Sequence, residues 1–219
     1  MRALLEQSIN LYAAMLLIVS FGMISQRRIL SLVHLYTLQG ATLVLATATV
    51  GWLTGQPHLY ISAALTLALK VGLIPYLLHR AVDRLDVRWD VEPLLNIPAT
   101  MLVGIVLVVF SFQLALPVSR LADSVARATL GIALACVLLS FMMMIVRARA
   151  LPQVIGFLAM ENGLFFAATS ATNGMPMIVE LGIFLDVLVG VLIAGVFMFQ
   201  IRERFDSLDI RHLEQLREK

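Results

Sequence analysis

The sequence predicts an all-α, polytopic membrane protein with seven transmembrane helices. Of its 219 residues, 60% are hydrophobic and only 14% are charged, which leaves too little polar surface for a soluble protein of this size. Apolar runs of about 20 residues, the length that crosses a bilayer as a helix, alternate with short polar turns. The predicted spans are 5–25, 29–50, 59–79, 94–117, 127–146, 152–171 and 176–199.

Basic residues set the predicted orientation, because Lys and Arg are retained on the cytoplasmic side of a membrane. They collect in the first, third and fifth turns and in the carboxyl-terminal tail, whereas the second and sixth turns contain none and the fourth holds only Arg120 and Arg127. The sequence therefore predicts an amino terminus outside and a carboxyl terminus inside. The small net charge of +2 follows from this asymmetry, so it is not a nucleic-acid signal.

The order of spans and turns resembles a duplication. Spans 1–3 and spans 5–7 each contain a basic turn followed by a charge-free turn, and span 4 connects them. The corresponding regions are residues 1–93, 94–126 and 127–200, followed by an amphipathic cytoplasmic tail at 201–219. Parallel repeats of this kind are a known membrane architecture. Sequence identity between the halves is weak, so a true duplication and a chance similarity both stay open.

Polar side chains near the middle of the spans indicate where the function lies. An ionisable group there costs roughly 2.5–3.5 kcal/mol on insertion scales, so a chain that retains several usually uses them. At 1.5 Å per residue, Glu161 and Asp186 each lie about 15 Å into a hydrocarbon layer of about 30 Å, so they could meet at the midplane. The residues of the predicted ion or proton pathway are Glu161, Asp186, Lys70, Glu180, Gln39 and His34.

Local sequence around two of these residues predicts how they are placed. Gly182, Gly190 and Ala194 flank Asp186 at four-residue steps, a strip that would let a neighbouring helix approach closely. Beyond Lys70, Gly72 and Pro75 are expected to weaken the helix, because Pro removes a backbone hydrogen bond. Both features favour a polar, closely packed region at mid-depth.

Structural alternatives accompany these assignments. A static ion pair would also explain Glu161, Asp186 and Lys70, while Glu180 and His34 would also fit contacts with the headgroup region. Cys136 is the only cysteine and cannot by itself ligate an iron–sulfur cluster, and the four histidines are scattered. No cofactor or metal site is therefore predicted on this chain.

A specific resemblance begins at the last basic turn. The run from Arg149 through Pro152 and an apolar stretch to Glu161 and Asn162, followed by Asp186 four residues before Gly190, resembles the small K-type membrane subunit of respiratory complex I. The resemblance covers about residues 130–205. It implies that Glu161 and Asp186 take the places of two intramembrane glutamates proposed to carry protons.

A longer resemblance covers the whole chain. The strings Gly156-Phe-Leu-Ala-Met-Glu161-Asn162-Gly163 and Pro176-Met-Ile-Val-Glu180-Leu, on a seven-span chain of this length, resemble component E of the hydrogenase-4 type. That family belongs to group 4 nickel–iron hydrogenase and formate hydrogenlyase complexes of the bacterial or archaeal cytoplasmic membrane. It implies antiporter-like membrane partners and a cytoplasmic redox arm that holds the iron–sulfur and any nickel–iron centres.

Three functions are consistent with parts of this pattern. The first is a non-redox subunit of a proton-coupled oxidoreductase, with no catalytic centre of its own. The second is a small subunit of a multi-component cation/proton antiporter. The third, a self-contained receptor or photoprotein, is disfavoured because Lys70 lies in the third span and the chain has only two tryptophans.

Overall fold

The computed structural model describes residues 2–85, 96–119, 124–172, 182 and 185–192. Within these residues the secondary structure is helical and no β-strand occurs. The helices are α1 (Arg2–Ser25), α2 (Ile29–Thr54), α3 (His58–Thr66), a π-helical segment (Leu67–Leu73), α4 (Ile74–Leu85), α5 (Ile97–Ser119), α6 (Ser124–Val146) and α7 (Ala150–Thr172).

Six stretches are long and apolar enough to cross a membrane, which indicates a multi-pass membrane protein. They confirm the first six predicted spans to within a few residues, with α3, the π-segment and α4 together forming the third. The six are Gln7–Ser25, Ile29–Thr54, His58–Asp83, Ile97–Pro117, Thr129–Val146 and Ala150–Thr169.

The predicted seventh span is described only in part. Gly182 and residues 185–192 are helical. Glu180, Ala194 and the predicted tail at 201–219 lie outside the described residues.

The turn between α2 and α3 shows how short sequence signals end these helices. Gly55 adopts a left-handed conformation with φ of 67°, which glycine adopts without steric cost, and its N–H bonds the carbonyl of Gly51. Pro57 then precedes α3 with φ of −66°, a value already suited to a helix. The charge-free turn predicted from the sequence is therefore only Gly55, Gln56 and Pro57 long.

The turn between α6 and α7 is held by a buried arginine. Arg147 is 3% exposed, and its guanidinium donates hydrogen bonds to carbonyl oxygens of Met23, Ile24 and Gln26. Met23 and Ile24 lie in the last turn of α1 and Gln26 follows it, where the carbonyls lack the i+4 partner that a further helical turn would supply. Arg147 therefore fastens the carboxyl end of α1 to the turn that opens α7.

The helices pack around two apolar clusters separated along the bundle. α1 packs against α2 and α6, α2 against α7 and the third span, and α6 against α5 and α7. One cluster contains Leu32, Leu78 and Leu158, and the other contains Leu16, Leu43 and Phe166. Both clusters contain residues of α1, α2, the third span, α6 and α7, at different positions along each of them. The residues between these positions form a layer across the bundle.

Candidate functional site

The layer between the two apolar clusters is polar, and it holds four of the six predicted pathway residues. Along α2, Gln39 falls between Tyr36 of one cluster and Leu43 of the other. Along α7, Glu161 falls between the cluster residues 159 and 165, and along the third span Lys70 falls between 59 and 74. Asp186, in the 185–192 segment, is 1% exposed and reaches the same layer.

Lys70 lies in the π-helical segment, and Pro75, just after this segment, helps to explain its irregular hydrogen bonding. In this segment the backbone N–H of Ile74 bonds the carbonyl of Leu69, five residues earlier rather than four. Pro75 has no N–H, so the next hydrogen bond of a regular helix cannot form. The sequence predicted a weakened helix just beyond Lys70; the irregular stretch instead begins at Leu67 and includes Lys70 itself.

The Lys70 ammonium contacts two adjacent side chains of α7. Its Nζ donates hydrogen bonds to the Glu161 carboxylate and, at 2.6 Å, to Oδ1 of Asn162. Lys70 is 0% exposed and Glu161 is 4% exposed, so this pair is removed from the surface of the bundle. The Phe165 ring, one turn further along α7, has its centroid 5.6 Å from Nζ and adds a cation–π contact.

Asp186 completes a three-residue charge cluster. Its Oδ1 lies 3.2 Å from Lys70 Nζ, within ion-pair distance. The Asp186 carboxylate also interacts with the carboxylate of Glu161. Lys70 therefore contacts both acids, and the two acids lie beside each other.

Two glycines allow the helices to meet at this point. A Cβ on Gly40 would lie 3.1 Å from Lys70 Cβ and 3.3 Å from its carbonyl oxygen, so α2 touches the π-segment backbone. A Cβ on Gly182 would lie 3.1 Å from Oε1 of Glu161. Of the predicted small-residue strip, Gly182 makes the close approach, while a Cβ on Gly190 would meet no described heavy atom within 4 Å.

A chain of uncharged side chains extends the cluster towards α1. Asn162 Nδ2 donates to Gln39 Oε1 at 3.1 Å, and Gln39 Nε2 donates to Ser20 Oγ at 3.2 Å. The Ser20 hydroxyl donates in turn to the carbonyl of Leu16 at 2.8 Å. We call Ser20, Gln39 and Asn162 the amide arm.

His34 lies apart from this layer. It is exposed, and its ring packs edge-on against His79 of α4, with centroids 5.1 Å apart and planes at 66°. His79 Nδ1 is 3.1 Å from the Pro75 carbonyl oxygen. The structure thus pairs His34 with another histidine and does not join it to Lys70, Glu161 or Asp186.

Three participants were not among the predicted site residues. Asn162 and Ser20 are members of the amide arm, and Tyr36 has a fully buried hydroxyl within electrostatic range of Asp186 and Glu161. Asn162 could have been identified from the sequence, because it is a polar residue that follows Glu161 directly in the middle of a span. Ser20 carried a weaker one, since a serine within a span can hydrogen-bond its own backbone.

The described residues bring no three His, Cys, Asp or Glu side chains together as candidate metal ligands. The cluster itself presents one ammonium, two carboxylates and a neutral amide. Such a set can hold, exchange or release a proton, or hold the helices together as a static ion pair.

Fold and site together define a multi-pass helical membrane protein with a Lys–Glu–Asp cluster buried among its spans. Its sequence is 31% identical over 211 residues to the "Uncharacterized protein Rv0085" of Mycobacterium tuberculosis, with 96% of each chain covered. The chain belongs to the same family as that protein. No family model and no solved structure matches the sequence.

Proposed function

We propose that this chain is a non-redox membrane subunit of a proton-coupled, complex-I-like oxidoreductase, in which Glu161, Lys70 and Asp186 pass protons within the membrane. The observation that carries the proposal is the contact of all three groups in one buried layer. A lysine that touches two carboxylates can exchange a proton with either through small side-chain movements.

The charge of the cluster supports proton exchange over a static ion pair. With all three groups ionised, one ammonium faces two carboxylates, which leaves a net charge of −1 in a buried layer. An uncompensated buried charge is costly, and neighbouring carboxylates commonly share a proton for this reason. Uptake of one proton neutralises the cluster, and its loss restores the charge.

The layered packing supports a path that runs along the membrane plane. Apolar clusters lie on both sides of the polar layer along the helix axes. A proton that reaches Lys70 therefore has polar groups beside it and mainly apolar side chains on both sides along the helix axes. A lateral path of this kind suits a subunit that bridges larger, antiporter-like membrane subunits.

Finer features of the architecture belong to the same proposal: seven spans, an outside amino terminus and two parallel three-helix repeats joined by span 4. Contacts between equivalent helices support the repeat. α1 packs against α6 and α2 packs against α7, which are the pairs that a duplication would relate. Lys70 of span 3 likewise contacts Asp186 of span 7.

The resemblance to component E of the hydrogenase-4 type supplies the proposed partners. They are antiporter-like membrane subunits and a cytoplasmic redox arm that carries iron–sulfur centres, with or without nickel–iron chemistry. The Glu161-Asn162 string that carries the resemblance is also the pair of residues that bonds Lys70. Sequence resemblance and site geometry therefore converge on the same residues.

The test is the Asp186→Asn variant in the assembled complex, purified through a tag on the carboxyl terminus. Asn keeps the size of the side chain and removes its ability to take up a proton. We expect coupled proton movement in reconstituted vesicles to fall at least tenfold while the complex still assembles. Asp83→Asn, at an exposed position of α4, is the matched control and should leave proton movement unchanged.

Unchanged proton movement in the assembled Asp186→Asn complex would refute the proposal. The proteins that co-purify decide the kind of complex, as identified by mass spectrometry. Antiporter-like subunits together with a redox arm support the oxidoreductase. Antiporter-like subunits without a redox arm would replace it with the multi-component antiporter.

A further inference from the structure

The amide arm has a direction that can be deduced from Lys70 outwards. An ammonium group has donors and no acceptor, so Asn162 must present its oxygen to Lys70. The Asn162 nitrogen then faces Gln39, which must present its own oxygen. Gln39 accordingly donates to Ser20, and the Ser20 hydroxyl donates to the backbone of α1.

The two middle members of the arm, Gln39 and Asn162, are neutral amides. Beyond them Ser20 contacts the backbone carbonyl of Leu16 and the Cys136 thiol. Amide side chains hydrogen-bond as donors and acceptors but do not titrate in the range in which carboxylates and lysines do. The arm therefore orients its neighbours without relaying protons.

The arm also makes the two carboxylates unequal. Lys70 is bonded to two adjacent α7 residues, Glu161 and Asn162, while Asp186 contacts it from the 185–192 segment with its Oδ1 at 3.2 Å. The bonds of the arm fix the Asn162 amide with its oxygen towards Lys70. An acceptor in that place favours the charged form of Lys70, which donates to α7. None of the hydrogen bonds of the arm reaches Asp186.

We propose that Gln39 and Asn162 are positioning residues that hold Lys70 in a donating orientation against Glu161 and close the polar layer on the α1 side. A path through this chain then continues from Asp186, not from Gln39. This revises the sequence prediction that Gln39 itself belongs to the pathway. The inference rests on the proposed function only for the direction of proton flow; the arm and its effect on Lys70 belong to the resting protein.

The chain offers an unusually clean probe, because Lys70 and Lys219 are its only lysines. Lysine labelled with ¹⁵N at Nζ, incorporated into the full chain in lipid nanodiscs, gives two resonances. Lys219→Arg assigns them. The native Lys70 resonance is expected to be single and narrow and to have the chemical shift of an ammonium, since one bonded orientation is populated.

Two substitutions of Gln39 separate its acceptor role from its volume. Gln39→Leu removes the acceptor for Asn162 Nδ2, so the Lys70 resonance is expected to split or broaden at least twofold. Gln39→Glu keeps an acceptor oxygen at the same distance along the side chain, and the Lys70 resonance should stay single. A single, unbroadened resonance in Gln39→Leu would overturn the proposal, and so would splitting in both variants, because Gln39 would then act by packing.

Ser20→Ala keeps the test decisive if Gln39→Leu fails to fold. It removes the acceptor of Gln39 Nε2, together with the hydroxyl's own bond to the Leu16 carbonyl, and leaves the acceptor of Asn162 in place, so a smaller broadening of the Lys70 resonance is expected. Ser140→Ala is the matched control, a buried serine of α6 outside the arm, and should have no effect. Equal spectra for the two serine variants would overturn the proposal.

These readouts are independent of proton pumping. If the Gln39 and Ser20 variants left the Lys70 resonance unchanged, the role of the arm would be refuted and the proposed proton relay would not. If Asp186→Asn left proton pumping unchanged, the relay would be refuted and the role of the arm would not.

Discussion

Removal of the Lys70 ammonium should be among the most destabilising single changes in the described part of the chain. Lys70→Met replaces the amine with an apolar group of similar length and leaves Glu161 and Asp186 buried at 4% and 1% exposure without their cation. Removal of one partner of a buried ion pair typically costs about 3–5 kcal/mol, because the remaining charge stays out of water. We expect a loss of about that size in the free energy of unfolding.

The assay is reversible unfolding in mixed detergent micelles, with a matched control and a rescue. Arg80→Met removes a cation at an exposed position of α4, and a change within about 0.5 kcal/mol is expected there. The rescue combines Lys70→Met with Glu161→Gln and Asp186→Asn, which removes all three charges. Most of the lost stability should return, since a buried ion pair can often be replaced by neutral groups at little net cost.

Two results would refute this reasoning. A cost of about 1 kcal/mol or less for Lys70→Met would mean that the carboxylates are neutral or hydrated in the resting protein. No recovery in the triple variant would mean that Lys70 acts through its shape in the π-segment and not through its charge.

Three further changes test the packing around the cluster, all by unfolding in the same micelles. Gly40→Ala should cost about 1–3 kcal/mol by pressing α2 against the π-segment, whereas Gly190→Ala should cost nothing; equal effects would contradict the close approach. Arg147→Met should cost about 1.5–3 kcal/mol through lost charged hydrogen bonds to the end of α1, and full stability would contradict that role. Tyr36→Phe should raise stability by about 1 kcal/mol, because the buried hydroxyl has no hydrogen-bond partner among the described residues; a fall would reveal one.

Sequence reasoning succeeded where a property depends on one helix alone. Span length and position follow from apolar runs, so the first six spans were predicted to within a few residues. Depth also follows from counting along a helix, which placed Lys70, Glu161 and Asp186 at similar levels before any contact was known. The seventh span, the membrane orientation and the repeat stay predictions.

Contacts between helices were harder to predict, because apolar periodicity is weak when lipid and protein neighbours are both hydrophobic. Asn162 illustrates the difficulty. It follows Glu161 directly and so points about 100° away around an ordinary helix, yet both reach Lys70 because the lysine lies between them. The partner of His34 was likewise not predicted, since His79 lies near the far end of the next span and sequence alone does not show which residues of two spans meet.

The cluster itself argues against a purely structural role. At the mid-depth that the sequence predicts, each of the three ionisable groups would carry roughly 2.5–3.5 kcal/mol of insertion cost, and a buried ion pair rarely stabilises more than apolar residues of the same volume would. One carboxylate would balance the charge of Lys70, and the second carboxylate adds to this cost. A bundle selected only for stability gains nothing from Asp186, whereas a bundle that exchanges protons needs a second acceptor within reach of the lysine. The geometry that is costly for folding is thus the geometry that a relay requires.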